Sequence, residues 1–78
     1  MQPKLELYYS KYCFFCQKVL AFLRGKDRDI ELKSTSDRVN ASALMQGGGK
    51  TQVPCLRIEQ ADGSVQWMYE SDDIIRYL

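Results

Sequence analysis

The chain has 78 residues and a mass of 9.0 kDa, is 45% hydrophobic and 27% charged, and sets eleven Lys and Arg against ten Asp and Glu for a net charge of +1. This size admits one small domain, residues 1–78, whose core is thin because so short a chain buries only about 60% of its unfolded surface. The near-neutral balance excludes a general nucleic-acid binder, and no apolar run is long enough to span a membrane. The N-terminal stretch MQPKLELYY carries Glu6 and no extended apolar core, so it does not read as a secretory signal and the expected location is cytoplasmic. Three cysteines and no histidine remain. An odd cysteine count in such a chain points away from a secreted disulfide scaffold and towards metal or redox chemistry.

Leu5 to Tyr9 reads as a strand bounded by Pro3 and Ser10. From Cys13 to Arg24 the apolar residues Phe15, Cys16, Val19, Leu20, Phe22 and Leu23 recur at helical spacing, with Gly25 as the stop. Ile30 to Lys33 is a second, weaker strand. Asp37 to Met45 has the broken apolar face of a short helix, and Gly47, Gly48 and Gly49 are expected to end it in a flexible turn. Val53 to Glu59 forms a strand that begins through Pro54; the Asp62-Gly63 pair signals a hairpin, and Val65 to Tyr69 returns. Ser71 is expected to cap a final helix in which Ile74, Ile75, Tyr77 and Leu78 are apolar.

The order is therefore β-α-β-α-β-β-α. The first two strands, joined through a helix, should run parallel with a right-handed crossover. The last two, joined by a tight turn, should run antiparallel. The expected α/β architecture is a four-stranded mixed sheet with three helices distributed over both faces.

The chemistry begins at Cys13-Phe14-Phe15-Cys16, directly after the first strand. Residues three apart at a helix start share a face, so the two thiols can reach disulfide geometry. A helix N-terminus at Cys13 and a cation at Lys11 both favour an anion there, and the thiolate is the attacking species. Cys16, one turn inside, suits the resolving role. Closing so small a ring stabilises a fold little, which points to reversible exchange. Two other readings stand beside this one. The pair could be half of a zinc site, which would need Cys55 and a carboxylate as further ligands. Both cysteines could also be simple core thiols.

Thr51-Gln52-Val53-Pro54 opens the third strand, a position at which a sheet tolerates proline. Were the Val53–Pro54 bond cis, Val53 would turn its N–H and C=O outward, and an extended substrate cysteine could pair with them near Cys13. In Glu70-Ser71-Asp72-Asp73, the serine suits a helix cap and the aspartates suit a first turn. The same groups could hold the carboxylate and ammonium of an α-amino acid.

Lys11-Tyr12-Cys13-Phe14-Phe15-Cys16, Val53-Pro54 and Ser71-Asp72 together resemble the three active-site segments of the glutaredoxins, over essentially the whole chain. The ending from Tyr69 to Leu78 is similar to the glutathione-binding end of the N-terminal domain of glutathione transferases. The resemblance implies a thioredoxin-like fold and a monomeric glutathione-dependent dithiol–disulfide oxidoreductase. Its substrates would be protein disulfides and glutathione mixed disulfides. It further implies Cys13 as nucleophile and Cys16 as resolving thiol. Lys11 and Gln52 would lie at the glycine carboxylate of glutathione, Val53 beside cis-Pro54 at its cysteine, and Ser71 and Asp72 at its γ-glutamyl group. Phe14 and Phe15 stand where such proteins usually carry Pro-Tyr, and Met68 and Tyr69 fill a stretch that usually holds two glycines. Cys55 reads as a packed core thiol open to regulatory oxidation. Two further readings of the resemblance are a scaffold for a [2Fe–2S] cluster and an electron carrier reduced by a thioredoxin reductase.

Overall fold

The computed structural model describes residues 3–26 and 29–78; Met1 and Gln2, part of the stretch read above for a signal, lie outside them. The elements are β1 (Lys4–Tyr9), α1 (Phe14–Arg24), β2 (Ile30–Ser34), α2 (Arg38–Gly48), β3 (Cys55–Glu59), β4 (Val65–Met68) and α3 (Ser71–Tyr77). They form one sheet in the order β2-β1-β3-β4. Strand β1 runs parallel to β2, with Leu7 opposite Leu32, and antiparallel to β3, with Leu7 opposite Leu56. Strands β3 and β4 close an antiparallel hairpin through Gly63, whose φ of 91° is a conformation that glycine adopts without a Cβ clash. The expected order and strand directions hold.

Alternation along the two central strands builds two cores. Leu5 and Leu7 of β1 and Leu56 and Ile58 of β3 point to one face, where Val19 of α1 and Ile74 of α3 complete a buried cluster. On the other face Tyr8 and Cys55 pack with Leu44 of α2, flanked by Val53, Trp67 and Tyr69. Helix α2 covers only that end of the face. Further along, Glu6 is 7% exposed and its carboxylate receives Arg57 at 3.1 Å and Lys33 at 3.7 Å. Arg57 also reaches Glu59 at 2.8 Å, so the buried charge is paired.

Two element boundaries differ from expectation by more than one residue. Helix α2 continues through Gly47 and Gly48 and stops only at Gly49, which takes the left-handed conformation at φ 85°. The first two glycines do not loosen the chain; they let the helix approach the aromatic residues of the hairpin. A Cβ on Gly47 would overlap the Trp67 ring, and one on Gly48 would overlap the Tyr69 hydroxyl. Strand β3 begins at Cys55, because the chain at Val53 and Pro54 turns through a cis peptide bond before joining the sheet.

These contacts reverse an ordinary sign. Alanine for glycine inside a helix normally gains about 0.8–1.0 kcal/mol. Gly47→Ala should instead lower the urea midpoint, since overpacking costs about 1–3 kcal/mol. Gly25→Ala is the control: Gly25 has φ −93° and nothing within 4 Å of a Cβ, so its midpoint should hold or rise slightly.

Candidate functional site

The turn after β1 is closed by the Cys13 N–H donating to Ser10 O at 3.1 Å, which brings Cys13 to the N-cap of α1. Its φ and ψ of −94° and 119° are those of an N-cap residue, and its Sγ takes the part usually played by a hydroxyl, accepting from the Cys16 N–H at 3.2 Å. The Gln17 side chain braces the turn by donating to Lys11 O at 3.0 Å. Cys13 is partly exposed, and its Sγ lies 3.7 Å from Val53 O across the cleft between α1 and the cis-Pro54 segment. Among the described residues the Val53 N–H makes no main-chain hydrogen bond.

Cys16 has the opposite environment. It is fully buried beneath the turn, and its Sγ accepts from the Ser10 N–H at 3.4 Å. Burial, reinforced by the side-chain hydrogen bond to Cys13, pushes the Cys16 thiol up to about 12. The two sulfurs are thus unlike: each accepts a main-chain N–H, but Cys13 is partly exposed while Cys16 is enclosed and holds its proton. All three cysteines are free thiols.

A cleft of about 220 Å³ adjoins this pair, lined by Phe15, Gln52, Val53, Pro54, Tyr69, Glu70, Ser71 and Asp72. Five residues singled out from the sequence, Gln52, Val53, Pro54, Ser71 and Asp72, therefore meet in one concavity. Lys11 lies outside its lining, exposed, with its ammonium 5.1 Å from the centre of the Tyr12 ring. Ser71 does not cap α3: the N-cap residue is Glu70, extended at φ −85° and ψ 128°, and no side chain caps the helix. Extended Tyr69 and Glu70 delay the helix by one residue, so Ser71 is its first helical residue and its hydroxyl is left at the cleft.

Three further residues shape the cleft, and sequence reasoning assigned no role in it to two of them, Glu70 and Lys18. Tyr69 forms a wall, its hydroxyl donating to Lys50 O at 3.4 Å. Glu70 adds a second carboxylate to the lining. Lys18, two residues beyond Cys16 in α1, donates to Asp72 Oδ1 at 2.8 Å and holds that carboxyl below its usual range. The i, i+5 offset from Cys13 gives no hint of this pair, which depends on how α1 lies against α3. Cys55 belongs to the opposite face, with Tyr8 and Leu44, and burial pushes its thiol up to about 12. It is separated by the sheet from Cys16, and among the described residues no three Cys, Asp or Glu side chains gather as a metal site.

The three environments predict a graded reactivity. Iodoacetamide at pH 8 should alkylate Cys13 alone in the folded protein, and all three cysteines after denaturation, as read by peptide mass spectrometry.

Comparison with known proteins places this geometry. The family model described as Glutathione S-transferase, N-terminal domain matches residues 7–78. No curated protein matches. Among solved structures, the thioredoxin-like protein BC3987 superposes with a TM-score of 0.70 at 21% identity, covering 96% of this chain and 100% of that one. The C-terminal domain of Neisseria meningitidis DsbD in its oxidised form gives 0.69 at 16% identity, over 97% of this chain and 77% of that one. These likenesses establish a thioredoxin-like fold. With the family model spanning nearly its whole length, the chain belongs to the glutathione S-transferase N-terminal domain family.

Proposed function

We propose that this protein is a glutathione-dependent thiol–disulfide oxidoreductase of the glutaredoxin type, acting as a monomer on glutathionylated and disulfide-containing proteins. The observation that carries the reading is the asymmetry of the two thiols beside the cis-proline cleft. Cys13 Sγ accepts the Cys16 N–H and faces Val53 O, whereas Cys16 is buried and protonated. Membership of a family described by glutathione supports the choice of thiol co-substrate.

In the proposed reaction the Cys13 thiolate attacks the glutathione sulfur of a mixed disulfide. A Cys13–glutathione disulfide forms as the substrate thiolate leaves and takes up a proton. A second glutathione, as thiolate, attacks the glutathione sulfur of that intermediate, releasing oxidised glutathione and restoring Cys13. With a protein disulfide, the Cys13 thiolate attacks one substrate sulfur and releases the first thiolate. Cys16 then loses its proton and attacks Cys13 Sγ of this mixed disulfide, forming the Cys13–Cys16 disulfide and expelling the second substrate thiolate. Two glutathione molecules then reduce that disulfide. Val53 would pair through its backbone with the glutathione cysteine. Ser71 and Asp72 would take the γ-glutamyl group, and Gln52 and Lys11 the glycine end.

The test is glutathione-coupled turnover, with NADPH and glutathione reductase supplying electrons. Cys13→Ser should abolish reduction of a small glutathione mixed disulfide, and full activity of that variant would overturn the assignment. Cys16→Ser should retain this activity and lose most protein-disulfide reduction.

A pH dependence separates the two routes. The Cys16 thiol is raised to about 12, chiefly by burial, so its thiolate is a small minority near neutral pH and grows with pH. Single-turnover release of the second thiol from a protein disulfide should therefore rise about tenfold per unit from pH 7 to 9. Stopped-flow measurement of the released thiol checks this slope, and a flat profile would exclude Cys16 as the attacking group.

A further inference from the structure

The lining of the cleft holds two carboxylates, Glu70 and Asp72, and no cation. Such a wall favours a positively charged group, and one is supplied from outside the lining: Lys18 Nζ sits 2.8 Å from Asp72 Oδ1. The pair does little to hold the helices together. Both side chains are substantially exposed, 47% and 68%, and an exposed pair adds little to stability. Helices α1 and α3 are already joined through Val19 and Ile74 in the buried cluster. What the contact does do is occupy the carboxylate that a ligand's ammonium would need.

We propose that Lys18 is a specificity-determining residue of the cleft, its ammonium seated on Asp72 where the α-ammonium of an incoming γ-glutamyl ligand binds. The ligand must displace it. The proposal rests on the glutathione reading above and adds a residue and a selection rule to it. A ligand with a free ammonium replaces Lys18 with an equivalent charge and leaves Asp72 paired. A ligand whose amine is acylated leaves Lys18 on Asp72 and is spared the cost of displacing it, so Lys18 narrows the preference of the cleft for a free amine. The cost of displacement is set by the fraction of time Asp72 is free of Lys18, which divides the intrinsic affinity for an ammonium ligand. For an exposed ion pair this is a factor of about two to five.

The experiment uses two unreactive probes, S-methylglutathione and its N-acetyl derivative, titrated into isotope-labelled protein and followed by NMR. Both probes carry the same two carboxylates and feel the loss of a nearby cation alike, so the ratio of their dissociation constants is the readout. In Lys18→Met, a residue of similar helix propensity, the preference for the free amine should increase about two- to fivefold over the native chain. Asp72→Asn should abolish the preference in both backgrounds. An unchanged or reduced ratio in Lys18→Met, with both probes still binding, overturns the displacement and leaves the glutathione reading standing. Failure of S-methylglutathione to bind the native chain overturns both together.

Discussion

Strand β1 is hydrogen-bonded along both edges, parallel to β2 and antiparallel to β3. This puts it mid-sheet, with the α1–α3 layer on one face and α2, Arg57 and Lys33 on the other. Every side chain from Leu5 to Tyr8 is consequently buried, and the period of two sends them alternately into two cores. Leu5 and Leu7 require the α1–α3 layer, and Tyr8 requires α2. Glu6, facing the stretch that α2 does not reach, requires Arg57 and Lys33. The same strand delivers the chain at Tyr9 to the end of the sheet where Cys13 caps α1 and the cis-Pro54 segment arrives. The position of the reactive sulfur thus follows from the pairing of the central strand.

The chemistry of the site depends on a division of labour within one helical turn. A thiol at an N-cap is offered a main-chain N–H, and a thiol three residues further on is carried under the turn and out of water. No base is needed to distinguish them. Burial, with one hydrogen bond to Cys13, holds the proton on Cys16, while Cys13 stays partly open to solvent.

Much of this was legible in the sequence because it is local. The strand periodicity, the Cys13-x-x-Cys16 spacing after a strand and the Asp62-Gly63 hairpin all depend on near neighbours, and each appears in the structure as read. What escaped depends on distant partners. Gly47 and Gly48 look like punctuation until Trp67 and Tyr69 are seen against them. Ser71 has the composition of a cap, but the extended backbone of Glu70 displaces it into the helix. Lys18 is one more charged residue on an amphipathic helix until α3 is laid beside it. The cleft residues Gln52, Val53, Pro54, Ser71 and Asp72 could be gathered from the sequence only through a family resemblance, since about twenty positions separate the two groups.

Trp67 is the chain's one tryptophan, and its ring lies against Gly47, 5.7 Å from the Tyr8 ring centre and 5.7 Å from the Arg57 guanidinium. Gly47 and Tyr8 belong to the seam where α2 meets the sheet and Arg57 borders it, on the face opposite the α1–α3 core. The protein therefore carries its own optical probe of that seam. Its intrinsic emission follows the docking of α2, and an event confined to the α1–α3 layer has to pass through the central strand before the fluorophore senses it.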